Sequence, residues 1–185
     1  MKNILGIGLL AFLLSACGGS GYERYEGYWQ QQQSEKSWPR IVQIVKEDSK
    51  TYLAKENLLP DSDGKVQEKS MVLTQKDDGT LAVDTGYGSI PLALSEDGKT
   101  LRTGSNTLTK ITEDEFNATR QQIEQDLKRC EEIKQAYEVE KEATPRPQIG
   151  DDGAKWKQWE TQHNAIKEKY KAQKEQLPPY VSCYF

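Results

Sequence analysis

At Thr112 the periodicity of the chain changes, and any fold must satisfy both sides of that change. Over residues 22–112, short runs rich in Val, Ile, Leu, Thr and Tyr alternate with acid–glycine turns, the signature of β structure. The strand-like runs are 26–31, 40–46, 51–55, 66–74, 80–83, 89–94, 100–103 and 107–111. Asp77-Asp78-Gly79, Glu96-Asp97-Gly98 and Asp61-Ser62-Asp63-Gly64 supply turns, because Gly tolerates positive φ and Asp bonds its own backbone. One phrase recurs: Glu47-Asp48-Ser49-Lys50-Thr51-Tyr52-Leu53 is echoed in Glu96-Asp97-Gly98-Lys99-Thr100-Leu101 and, more briefly, in Asp78-Gly79-Thr80-Leu81. The echoes read as hairpins sharing one local solution. Eight short strands with tight turns predict an antiparallel meander closing into a small barrel.

Beyond Thr112 the apolar residues take helical spacing. Thr112-Glu113-Asp114-Glu115 has the form of a capping box. Phe116, Ile123, Leu127, Cys130, Ile133 and Tyr137 follow on one face, until Ala143-Thr144-Pro145-Arg146-Pro147 stops the helix. A second helix is predicted from about Asp151, with Trp156, Trp159, His163, Ile166, Tyr170 and Leu177 spaced as a coiled-coil seam. The prediction is an α+β fold: an antiparallel β meander or small barrel, then a C-terminal antiparallel helical hairpin.

Two cysteines sit in the helical part. If the hairpin folds about residue 147, Leu177 lies opposite Phe116 or Asn117. Residues 178–183, extended over roughly 20 Å, then lead back to Cys130. A Cys130–Cys183 disulfide would pin a C-terminal strap, residues 180–185, over the helices. The alternative is two free thiols, one open to intermolecular linkage.

The N-terminus sets location. Lys2 precedes an apolar run of eleven residues from Ile4 to Leu14, too short for a membrane span of about 20 residues but right for an export signal. Leu14-Ser15-Ala16-Cys17 resembles the lipobox of bacterial lipoproteins. The resemblance implies that residues 1–16 are removed as a signal peptide and that Cys17 is lipidated. The membrane partner is thus the lipid anchor on Cys17. Since two or three acyl chains hold firmly where one does not, attachment would be stable. Residues 17–21, Cys17 with Gly18-Gly19-Ser20-Gly21, then form a short flexible leash. Gly18 after the cysteine implies sorting to the periplasmic face of the outer membrane, or the plasma membrane if the cell is Gram-positive. The organisation read from the chain is signal peptide 1–16, anchor and leash 17–21, β-barrel-like domain 22–112 and helical hairpin with strap 113–185.

Gly27-Tyr28-Trp29 resembles the opening of lipocalin-like barrels. That resemblance implies a tryptophan plugging one end and a glycine permitting close packing. It also implies an interior able to hold a small apolar ligand. An ordinary core role for Trp29 is the plainer reading.

Chemistry-bearing motifs are few. A formal net charge of −4 with interleaved signs argues against a nucleic-acid partner, which needs concentrated Lys and Arg. His163 is the sole histidine and falls on the helical seam, where a satisfied packing role suits it better than a ligand or base. The chain has neither a Gly-x-Ser-x-Gly elbow nor a glycine-rich phosphate loop. Asp61-Ser62-Asp63-Gly64 is similar to the start of a calcium loop but lacks the later ligands, so a solvated turn is expected. No catalytic residue, metal site or cofactor is assigned. Trp156 and Trp159 are either the anchors of the hairpin or a docking spot for a protein partner, a role tryptophan favours. The sequence therefore points to a non-enzymatic interaction module of the envelope. A lipocalin-like carrier and an inhibitor of an envelope enzyme are the alternatives.

Overall fold

The computed structural model describes residues 21–34 and 37–184. The signal segment and Cys17 lie outside the described residues. Eight strands, β1 (Gly27–Gln31), β2 (Ile41–Lys46), β3 (Tyr52–Glu56), β4 (Lys69–Gln75), β5 (Leu81–Asp84), β6 (Ser89–Leu94), β7 (Thr100–Thr103) and β8 (Asn106–Ile111), form a closed barrel. Each pairs antiparallel with the next, and β8 closes on β1 through Tyr28 opposite Ile111 and Gln31 opposite Leu108. Side chains alternate across a strand, so one register puts Trp29, Ile44, Tyr52, Ala54, Leu73, Leu81, Leu92, Leu101 and Leu108 together in one buried cluster. That cluster fills the barrel.

One end of the barrel is plugged. A 3-10 turn, Glu23–Tyr25, lies across it. The Trp29 indole N–H donates to the Tyr25 carbonyl at 2.7 Å, and the Tyr25 hydroxyl donates to the Leu92 carbonyl at 3.0 Å. Arg24 donates to the carbonyls of Ser95 and Glu96, and Tyr22 donates to that of Lys76. Lys110 completes the plug, its ammonium 5.1 Å above the Trp29 ring and donating to the Arg24 carbonyl. A β-carbon on Gly27, where φ is +118°, would meet the Lys110 side chain at 3.3 Å, so glycine suits this close approach.

The recurring sequence phrase now has a place. The β2–β3, β4–β5 and β6–β7 turns all lie at this plugged end. In each, an aspartate (Asp48, Asp78 or Asp97) accepts from backbone N–H groups two or three residues on. Those hydrogen bonds hold all three carboxyls below their ordinary range: the Lys50 N–H leads at Asp48, the Thr80 hydroxyl at Asp78 and the Ser95 hydroxyl at Asp97. β4 begins at Lys69, later than the run 66–74 predicts. Residues 57–68 instead form a loop at the open end, because Leu58 and Leu59 are drawn under the first helix.

That helix, α1 (Glu113–Glu142), starts at the plugged end with both halves of the capping box made: Glu115 N–H to the Thr112 hydroxyl at 3.2 Å, and Thr112 N–H to the Glu115 carboxylate at 2.7 Å. It runs down the barrel wall. Phe116 stacks on Tyr28 at 4.5 Å, and Ile123 packs with Ile41, Leu58 and Leu59 at the other end. Thirty residues span about 45 Å, so roughly half of α1 continues past the barrel. α2 (Gly153–Lys174), capped by Asp152, returns along this free half.

The hairpin register differs from the sequence expectation. Arg129 donates to the Gln176 side chain at 2.9 Å, so the base of α2 meets α1 near residue 129 and not near Phe116 or Asn117. The cause is the linker. Pro145 and Pro147 keep the stretch after α1 out of helix, where Thr144 faces Trp159, and the chain reverses only at the 148–151 turn, later than a fold about residue 147. α2 also stops at Lys174, and Leu177 is buried in the turn beyond it, with Ile133, Tyr137 and Tyr170.

Candidate interaction surface on the helical arm

At the far end of the arm, the first turns of α2 and the linker build an aromatic cluster without a second helix. Trp156 and Trp159 are three residues apart and so share a face. Their rings meet edge to face at 6.0 Å. The Trp159 indole N–H donates to the Thr144 carbonyl at 3.2 Å, fixing the ring against the linker. His163 stacks on Trp159 at 4.8 Å with an interplanar angle of 14°. Arg146 lies over both indoles, its guanidinium carbon 5.3 Å from the Trp156 ring centre and 5.7 Å from that of Trp159.

Two acidic residues organise the same tip. Asp152 accepts from the N–H groups of Ala154 and Lys155, satisfying the start of α2. Asp151 accepts from the Gln148 N–H and the Lys155 ammonium, and the Lys155 bond leads in holding its carboxyl below the usual range. Ile149, in the same linker, is fully exposed. The tip is therefore hydrogen-bonded, aromatic and partly apolar.

The base of the arm is braced differently. Cys130 and Cys183 lie at disulfide distance, with sulfurs 2.18 Å and Cα atoms 5.6 Å apart. Tyr180 packs its ring against Trp38 of the β1–β2 loop and donates its hydroxyl to Asp126 at 2.9 Å. Burial, and then the Asp126 carboxylate, pushes the Tyr180 hydroxyl up to about 12. Higher on the arm, Glu140 accepts from Lys169 and Tyr170. These bonds, Lys169 first, hold its carboxyl below the ordinary range. A groove of about 640 Å³ opens where the 62–64 turn faces α1 and the strap, lined by Asp63, Leu127, Cys130, Lys134 and Tyr184. It lies outside the barrel wall.

The sequence-predicted residues thus fall into separate places. Trp156 and Trp159 meet at the tip, Cys130 and Cys183 meet at the base, and Cys17 lies outside the described residues. His163 sits on the seam as expected, but its Nδ1 is buried without a hydrogen-bond partner, so it is packed and not fully satisfied. Asp61 closes a turn by accepting from Asp63, Lys65 and Gln67. Sequence reasoning missed Arg146, treating its segment only as a helix stop. The signal was a charged residue between two prolines, in the short linker just before two tryptophans. Among the described residues no helix is long and apolar enough to cross a membrane. No family model, curated protein or solved structure matches the chain.

Proposed function

We propose that this is a lipid-anchored lipoprotein of the bacterial envelope, tethered through Cys17, that serves as a non-enzymatic docking module for a protein partner. The observation that carries the reading is the opposition of the two ends. The chain enters at the plugged end, where Gly21 and Tyr22 lie beside the β4–β5 turn. The arm leaves past the other end. With about 45 Å of α1, and turns of α2 beyond it, the Trp156–Trp159 tip stands on the order of 50 Å from the entry point. A leash of a few residues at the plugged end would keep the barrel near the bilayer and hold the tip out from it.

Two further features support docking by the arm. A closed barrel has no free strand edge for a partner strand to extend. Its interior is also occupied by its own side chains, Trp29 and Leu81 being fully buried, which disfavours a carrier role. Partner contact is then left to side chains, and the tip offers two half-buried tryptophans, one hydrogen-bonded to the linker.

The test is site-specific photocrosslinking from position 149 in intact cells, with Trp156→Ala/Trp159→Ala alongside. The expected result is a crosslinked protein band lost in the double variant while membrane attachment persists. An unchanged band in that variant would overturn docking by the tip. Labelled palmitate incorporated at Cys17, and abolished by Cys17→Ser, is the expected result for the anchor; an unlabelled protein would overturn it.

A further inference from the structure

We infer that the tip recognises an acidic, aliphatic peptide segment, with Arg146 as the residue that receives its carboxylate; this rests on the docking role proposed for the arm. The starting point is the state of the charges at the tip. Asp151 is engaged by Lys155 and Gln148, and Asp152 by the backbone of α2. Arg146 has no carboxylate partner. Among the described residues no carboxylate oxygen lies within 4.0 Å of it, and no hydrogen bond uses its donors.

Yet Arg146 is held in place. Its guanidinium lies over two indoles, one of them tied to Thr144 and stacked on His163. Flanking prolines restrict the backbone on both sides. With its carbon 5.3 and 5.7 Å from the two ring centres and no hydrogen bond using its N–H groups, the guanidinium keeps its fork of donors available, and that fork matches a carboxylate through two parallel hydrogen bonds. Holding the fork beforehand lowers the ordering cost on binding. Ile149, fully exposed in the turn that follows, offers an apolar side chain on the same linker. An acidic residue beside an aliphatic one complements both.

The cluster favours a peptide acid over a sugar. A sugar ring stacks on a bare indole face. Here His163 stacks on Trp159, Arg146 lies over both indoles, and the two indoles meet each other edge to face.

The probe is a fluorescein-labelled peptide of alternating glutamate and leucine, titrated into the full chain in detergent and read by anisotropy. A glutamine–leucine peptide and a tetramer of N-acetylglucosamine run beside it. The acidic peptide is expected to bind, to weaken with added salt, and to lose about tenfold on the glutamine swap, as for a hydrogen bond to a charged group. Arg146→Ala and Arg146→Lys should each lose a similar factor, the second because an ammonium cannot make the paired bonds. Both variants change an exposed linker residue, and circular dichroism checks that the helices persist. Equal binding of the glutamine peptide, equal binding by Arg146→Ala, preference for the sugar, or no saturation by the acidic peptide up to about millimolar would each overturn the inference. If the cellular crosslink depends on Trp156 and Trp159 but survives Arg146→Ala, docking stands and the acidic partner falls. If it ignores the tryptophans as well, docking itself falls.

Discussion

The barrel and the arm use aromatic residues to opposite ends. In the barrel, Trp29 is fully enclosed, its N–H is bonded to Tyr25, and every strand has a neighbour on both sides. In the arm, Trp156 and Trp159 are only half buried, and beyond the seam the helices are covered by charged side chains. Exposed pairs such as Lys128–Glu132 and Lys171–Glu168 add little stability. A closed sheet gathers its apolar surface inward and leaves little outside to recognise. A two-helix arm has one narrow seam, so aromatic residues at its end stay accessible. Stability and recognition are thereby assigned to different parts of one chain.

The largest expected effect tests that division. Trp29→Ala should cost about 3–5 kcal/mol, since a large buried ring leaves a cavity and the Tyr25 carbonyl loses its donor. Trp159→Ala, at a half-exposed site, should cost about 1 kcal/mol and leave the barrel transition in place. Denaturant unfolding followed by near-ultraviolet circular dichroism reads both. Similar losses from the two changes would show that barrel and arm do not divide the work.

Removing the Cys130–Cys183 pair, as Cys130→Ser/Cys183→Ser, comes next, at about 2–4 kcal/mol by loop-closure arguments. The loss should be local. Hydrogen exchange is expected to rise over residues 175–184 and the neighbouring turns of α1, while β1 to β8 keep their protection. Exchange rising equally in the barrel would mean that the strap holds both regions.

How legible this division was in the sequence depends on the range of the signal. Alternation, acid–glycine turns and the Thr112–Glu115 box act over a few residues, and the eight strands and the start of α1 follow from them. The start of β4 was misread at Val66, a strand-favouring residue after the 61–64 turn, whereas burial of Leu58 and Leu59 under α1 decides where the loop ends. The hairpin register was also misread. It depends on where the chain reverses after the Pro-Arg-Pro stretch, which spacing along one helix does not encode. The Cys130–Cys183 pairing was nonetheless found, because the strap turns at Pro178 instead of extending and the two misplacements offset. Trp156 and Trp159 were visible as types, but Arg146 gains its meaning only from the rings beneath it.

Tyr180 joins the two regions, and pH can probe it. Its hydroxyl holds its proton above the ordinary tyrosine value of 10.0, up to about 12, so the folded state favours the neutral form. That contribution is full below about pH 10 and is lost as pH rises through about 12. Tyr180 should therefore ionise late in an absorbance titration, together with Tyr25, Tyr28 and Tyr170, which burial also raises, and Tyr180→Phe should shrink that late step by one tyrosine. At neutral pH the same change should cost about 1–2 kcal/mol, because the buried Asp126 carboxylate loses a donor and keeps Gln122. A titration curve unchanged by Tyr180→Phe would show that the strap is not docked through this bond.

The smallest effect bears most directly on whether the two regions unfold together. Only Thr112 separates the last residue of β8 from the first of α1. Its hydroxyl and its N–H are both committed to Glu115, whose carboxyl those bonds, the Thr112 N–H first, hold below the usual range. Thr112→Ala should cost about 1 kcal/mol, the usual price of a lost N-cap. Its distribution matters more than its size. Phe116 lies one turn into α1 and stacks on Tyr28 of β1, so fraying there should loosen the wall contact before it disturbs the seam with α2. If barrel and arm form one cooperative unit, helical and aromatic signals should shift together by the same amount. If the barrel stands alone, the helical signal should fall first and the Trp29 environment should hold.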